Sequence, residues 1–212
     1  MNTYEAIVRR RTVRLFEQKP VPYEMLERCV DAGRMAPSAR NLQVLEYVVV
    51  DSQGPLDAMF KCMGFGGELG KDELKGKGPM AYIVILINKD IPSNWAKHDS
   101  AMAAQNIMLT ACEQGLGSCV LAKINRKAIM ELLKVPGMCE TDLVVALGYP
   151  AEEPVAEAAE QDKTGYYRDR EGRLHIPKRR LADVIHRNAF GNNMNRTNTG
   201  RPKDKKADQS SR

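Results

Sequence analysis

Between Arg9 and Phe16 the chain reads Arg-Arg-Arg-Thr-Val-Arg-Leu-Phe, four guanidinium groups and a hydroxyl within six residues. A guanidinium presents paired, planar donors that match the oxygens of a phosphate, and a threonine hydroxyl adds a neutral donor at short reach. The stretch reads as the holder of an anion; the plainer alternative is a solvated basic turn after a short helix. A second basic group, Lys178-Arg179-Arg180, follows Pro177 far along the chain. Between them, Ala36-Pro37-Ser38-Ala39-Arg40-Asn41-Leu42-Gln43 collects a hydroxyl and two amides able to read the edge of a heterocycle. A plain helix-to-strand connection explains Pro37 but not so many hydrogen-bonding groups together. A fourth stretch, Gly115-Leu116-Gly117-Ser118, pairs a glycine suited to a helix C-cap with a second that leaves the backbone open to a ligand.

The elements that must position these groups follow from periodicity. Thr3 can cap a helix with Tyr4, Ile7 and Val8 on one face, which runs into the arginines. A second helix begins near Pro22, with Leu26, Cys29, Val30 and Gly33 on its inner face. Strands are expected at Tyr47–Val50, Ala81–Ile87, from Cys119, and at Asp142–Leu147. The unbroken apolar run Ala81–Ile87 predicts a central strand buried on both faces. Short amphipathic helices are expected at Leu56–Met63, Arg126–Lys134 and Leu181–His186. The segment Lys97–Gln114 is apolar over most of its surface, which predicts a buried helix, even one lying between subunits. Six glycines between Gly64 and Pro79 predict a mobile loop, and the acidic, alanine-rich Ala151–Asp162 an exposed extension. Gly64-Phe65-Gly66 lacks the preceding strand and the third glycine of a dinucleotide fingerprint.

Composition narrows the function classes. With 212 residues, 43% hydrophobic and 28% charged, the chain suits one mixed α and β domain over residues 1–191. No apolar run reaches the roughly 20 residues of a membrane span, and the N-terminus lacks a signal peptide's apolar stretch, so a cytoplasmic location is expected. Five cysteines without a C-x-x-C pair read as reduced and structural; His98, His175 and His186 lack metal-ligand spacing, and no metal is expected. Most of the +5 net charge sits in residues 192–212, which carry six Lys and Arg against two Asp. That tail is expected to be disordered, and the near-neutral remainder argues against nucleic acid as a partner.

Taken in order, these motifs resemble the nitroreductase family of flavin enzymes. Arg10-Arg11-Thr12-Val13-Arg14-Leu15-Phe16 is similar to its Arg-Arg-Ser-x-Arg/Lys-x-Phe opening, and Ala36–Gln43 to its Ala-Pro-Ser-x-x-Asn-x-Gln loop. The Gly-Leu-Gly turn and Ile176-Pro177-Lys178-Arg179-Arg180-Leu181 fall where the family has theirs, so the likeness runs from about Thr3 to Phe190. It implies an α+β fold, an α-β-α sandwich on a mixed, mainly antiparallel sheet, in an intertwined homodimer with FMN at each subunit interface. By position, Arg10, Arg11 and Thr12 would face the phosphate and ribityl chain, with Lys178 and Arg180 closing the phosphate site. Arg14 would lie at the pyrimidine end of the ring. Ser38 and Asn41 would come from the partner subunit and bond the ring's polar edge, and Pro37, Ala39 and Gln43 of the same loop would also contact the cofactor. The Leu116–Gly117 backbone would approach N5.

The resemblance further implies an oxidoreductase in which hydride from NADH or NADPH reaches nitroaromatics, quinones or similar small acceptors by a ping-pong cycle, with no side chain needed as acid or base. Two departures alter the acceptor pocket: Arg40 where the family often has a small residue, and Val44-Leu45 where it has Pro-Trp. A flavin-binding storage or sensing protein without turnover is the alternative.

Overall fold

The computed structural model describes residues 1–65, 74–160 and 163–192; the middle of the glycine-rich loop and nearly all of the basic tail lie outside the described residues. Helix α1, Thr3–Arg9, is capped by Asn2, not by Thr3: Asn2 Oδ1 accepts the Glu5 N–H while Glu5 accepts the Asn2 N–H, a reciprocal capping box. Only Ala6 of this helix is buried; Tyr4, at 75% exposure, Ile7 and Val8 form an apolar face that the chain itself leaves uncovered. Helix α2, Tyr23–Arg34, starts after Pro22 and buries Leu26, Cys29 and Gly33, as its spacing predicts.

Strand β1, Leu45–Val50, follows a single 3-10 turn at Ala39–Asn41. Then come α3 (Gln53–Lys61), β2 (Ala81–Asn88) and the long α4 (Ala96–Glu113). Strand β3 (Gly117–Leu121), α5 (Arg126–Leu132) and β4 (Cys139–Gly148) complete the main layers. The four strands form one sheet in the order β1-β2-β4-β3, antiparallel at every pairing. Every residue of β2 is buried, because both faces of the sheet are covered. Ala81, Ile83 and Ile85 pack with α2 and α4, while Tyr82, Val84 and Leu86 pack with α3 and α5. Each such side chain removed from water stabilises the fold by about 1.5–3 kcal/mol. The result is the expected α-β-α sandwich of the α+β class.

The C-terminal part departs from expectation. The stretch read as an exposed extension holds β5, Val155–Ala158, which runs parallel to β7, Leu174–Lys178, with β6, Tyr167–Arg168, antiparallel on the other side. Its partner lies some twenty residues further along, and a four-residue strand without alternation carries little local signal. The parallel pairing expected of a mixed sheet thus lies in this small second sheet. Helix α6, Leu181–Val184, is shorter than expected.

Candidate functional site

The arginine segment is held by its own apolar residues. Val13 and Phe16 are buried, Val13 N–H donates to the Ser118 carbonyl at 3.0 Å, and Thr12 bridges Ser118 in parallel. Further on, Phe16 bridges Pro150 and the Ala151 N–H donates to the Leu15 carbonyl at 2.9 Å. The segment therefore runs along the ends of β3 and β4.

What brings β3 to it is the end of α4. Gly115 sits at φ 80, its N–H donating to the Cys112 carbonyl and that of Leu116 to the Ala111 carbonyl, the paired bonds of a Schellman turn. The chain passes from helix to strand in one step and sets Gly117 against Val13. A Cβ at Gly117 would stand 2.9 Å from the Val13 Cβ, so the close approach expected here is made by the protein's own segment.

Between these elements lies a cleft of about 690 Å³, lined by Arg9, Arg10, Arg11, Gly117, Ser118 and Glu152 among others. Its lining sets Arg9, Arg10 and Arg11 against Glu17, Glu152 and Glu153, yet among the described residues none of the three arginines forms an ion pair. Burial, together with the neighbouring Arg10, lowers the Arg11 pKa from its ordinary value, and Arg11 donates to the Arg10 carbonyl. Glu152, with an 8% exposed side chain, is not their counter-ion. One of its oxygens accepts the N–H groups of Arg14 and Leu15 at 2.7 and 3.1 Å, and the other accepts Arg168 at 2.9 Å. Glu152 thus fixes the backbone of the segment and ties it to β6.

The buried Arg10 Nε, Arg14 Nε and Ser118 Oγ have no hydrogen-bond partner among the described residues. Leaving such groups unpaired costs about 1–3 kcal/mol each, more for charged ones. A ligand rich in acceptor oxygens fits this set, and the cleft has the size of a small-molecule site.

The other expected residues lie elsewhere in the chain. Arg14 extends its guanidinium to 5.5 Å from the centre of the Tyr166 ring. Lys178 is exposed at the end of β7, and Arg180 pairs with Asp183 at 3.1 Å; neither lines the cleft. Pro37, Ser38, Ala39, Asn41 and Gln43 gather at the opposite end of α4. There the Ser38 hydroxyl donates to Asp99 at 2.9 Å. From Asp99 to Cys112, which lines the cleft, the helix rises about 20 Å. Within one chain the two groups of residues therefore stand at the two ends of α4. Val44, expected at the acceptor wall, is fully buried with Ile87 and Ala96, which leaves Arg40 as the exposed departure.

Sequence reasoning missed Asp99, Glu152, Ser118 and Arg168. Neither acid carried a local signal: Asp99 sits among Lys97, His98 and Ser100 in the first turn of α4, and Glu152 is one acid in an acidic run.

The nitroreductase family matches this chain over residues 7–149. A protein of Methanothermobacter thermautotrophicus, named as an NADH dehydrogenase/NAD(P)H nitroreductase, is 32% identical over 160 residues, covering 73% of this chain and 80% of its own. Among solved structures, an FMN-dependent nitroreductase of Clostridium difficile R20291 superposes with a TM-score of 0.65 at 27% identity, covering 87% of this chain and 98% of its own. A nitroreductase family protein of Clostridium novyi NT gives a TM-score of 0.62 at 25% identity, over 71% and 86%. The chain belongs to the nitroreductase family, and it is an oxidoreductase.

Proposed function

We propose that this enzyme holds FMN in the arginine-lined cleft and passes a hydride from NADH or NADPH to a nitroaromatic, quinone or similar small acceptor. The observation that carries this reading is the set of buried polar groups without partners, Arg10 Nε, Arg14 Nε and Ser118 Oγ, at and beside a cleft lined by Arg10, Arg11 and Ser118. Bound FMN would supply the hydride-accepting and hydride-donating position that this fold's side chains do not offer.

The residues would then divide the work by chemistry. Arg10 and Arg11 neutralise a phosphate near −2, as two fixed cations can, with the Thr12 hydroxyl as a neutral donor. Lys178 and Arg180 close the phosphate site from the C-terminal segment. Arg14 offers its unpartnered Nε–H where negative charge arrives at the pyrimidine end of the ring. Glu152 keeps the segment's backbone in place, since both of its oxygens are already engaged. No side chain is assigned as acid or base.

The second half-site comes from another copy of the chain. The separation of Ser38–Gln43 from the cleft along α4 supports a homodimer, as do the uncovered apolar residues of α1 and the C-terminal segment, where Phe190 is 92% exposed. Among the described residues no helix is long and apolar enough to cross a membrane, and we place the enzyme in the cytoplasm, where its five free thiols stay reduced.

The test is the visible spectrum of the purified protein with FMN, followed on adding NADH and then NADPH without oxygen. Flavin bands that bleach support the reading, and restoration of the bands by a nitroaromatic or a quinone names the acceptor. Bands that persist favour the storage or sensing alternative. Protein that takes up no FMN overturns the proposal.

A further inference from the structure

Asp99 lies in the first half of α4 and is 1% exposed. A carboxylate removed from water must have its oxygens filled. Here the loop fills them: Ser38 Oγ–H donates to Oδ2 at 2.9 Å and the Ala39 N–H to Oδ1 at 3.1 Å. Ser38 Oγ in turn accepts the Gln43 N–H at 2.9 Å, and the Asn41 N–H closes onto the Ser38 carbonyl at 2.8 Å. A relay from one carboxylate through one hydroxyl therefore holds both ends of the loop.

Between those ends the backbone is strained. Arg40, Asn41 and Gln43 stand at φ 55, 56 and 51, in the left-handed region that favours glycine, and none of them is glycine. Such a run persists only where its surroundings impose it, and it aims side chains that an ordinary turn would send elsewhere. All three of these residues are exposed.

We propose that Asp99 is a positioning residue for the flavin, acting through the Ser38 hydroxyl to fix the left-handed backbone at Arg40, Asn41 and Gln43 and hence the direction of the Asn41 and Gln43 side-chain amides. The inference rests on the FMN reading above. It also changes the role of Ser38, whose single proton is committed to Asp99 and is not available to a ring edge; donation to the ring falls to Asn41 and Gln43. An amide at position 99 would turn a donor toward groups that already donate.

The experiment compares wild type with Ser38→Ala, Ser38→Thr and Asp99→Asn, measuring the FMN dissociation constant by fluorescence titration, the bound flavin's visible bands and its midpoint potential, with far-ultraviolet circular dichroism to check the fold. Losing a hydrogen bond to a charged group corresponds to about tenfold or more. Ser38→Ala and Asp99→Asn should each weaken FMN binding by about that factor and move the bands. Ser38→Thr should recover most of the loss, because it keeps the hydroxyl and the extended backbone at φ −125 and ψ 137 suits a β-branched residue. Folded Ser38→Ala with wild-type affinity, bands and potential would overturn the proposal, as would Ser38→Thr as impaired as Ser38→Ala. Should Asp99→Asn not fold, the two Ser38 variants decide alone. Wild type that binds no FMN removes the flavin reading itself, and this inference with it.

Discussion

The arginine segment and the Ser38–Gln43 loop look alike as strings of hydrogen-bonding residues, yet the fold treats their donors in opposite ways. In the loop, the Ser38 hydroxyl and the amides of Ala39, Asn41 and Gln43 all find partners within the protein, and the result is a strained backbone held in one shape. In the segment, the backbone is fixed by Val13, Phe16 and Glu152, while Arg10 Nε, Arg14 Nε and the adjoining Ser118 Oγ are left open. Backbone groups satisfied in this way hold a loop in shape and leave its side chains free to point outward, whereas buried side-chain donors held rigid and unmet are what a ligand can satisfy. The difference lies in which atoms are anchored, not in residue type.

The largest break in this comparison comes from removing the open donors. Arg10→Ala combined with Lys178→Ala should strip FMN from the purified protein. Two charge-assisted bonds of about 1.5–3 kcal/mol each amount to at least about a hundredfold in affinity. Flavin content measured by absorbance ratio checks it, and unchanged content would mean that the phosphate is held elsewhere. Lys178→Ala alone sharpens the point, since Lys178 does not line the cleft within one chain.

Removing the anchor comes next. Glu152→Ala leaves the N–H groups of Arg14 and Leu15 and the Arg168 guanidinium without their acceptor. A loss of about 3 kcal/mol of stability is expected in denaturant titrations, with weaker FMN binding as the segment loosens. A smaller effect, about 2 kcal/mol, is expected from Gly117→Ala, which drives a methyl into Val13. Adding Val13→Ala should return part of that loss, whereas simple additivity of the two changes would show that they do not share this contact.

The smallest effect tests the little sheet that Arg168 ties to the segment. His175 places Nδ1 2.9 Å from Glu157 and Nε2 3.0 Å from Asp169, and these hydrogen bonds raise its pKa above 6.5. The same bonds to His175 lower Glu157 below 4.5 and Asp169 below 3.8. The imidazolium's contribution is complete below about pH 6.5 and is lost as pH rises through its raised value. That of the carboxylates is complete above about pH 4.5 and is lost as pH falls through their lowered values. The difference in Tm between wild type and His175→Gln should therefore peak between those limits and shrink toward alkaline pH. A difference independent of pH would assign His175 to packing on Tyr167 instead.

Several elements were legible because their information is local. The run Ala81–Ile87, apolar at every position, can only be a strand covered on both faces. The apolar residues of Lys97–Gln114, followed by Gly115, specified a helix and its left-handed end, though Ala101 and Met102 stay exposed in the single chain. The crowding of Arg10, Arg11, Thr12 and Arg14 pointed to a segment that the structure sets along a cleft. What escaped was set by pairs distant in the chain. Strand β5 exists because β7 lies beside it. Glu152 acquires its role from Arg14 and Leu15, 138 and 137 residues away. Asp99 was hidden among Lys97, His98 and Ser100 in the polar first turn of its helix, where a carboxylate reads as solvent-facing.

Periodicity and glycine placement determined the helices and the central strands, because each depends on residues within a turn or two of one another, and the short motifs taken in order pointed to the family. Only the tertiary structure decided that Gly117 makes room for Val13, that Ser38 serves Asp99, and that the arginine segment and the Ser38–Gln43 loop stand at opposite ends of α4. Close approach and hydrogen-bond satisfaction depend on where distant segments come to rest, and that is settled by packing.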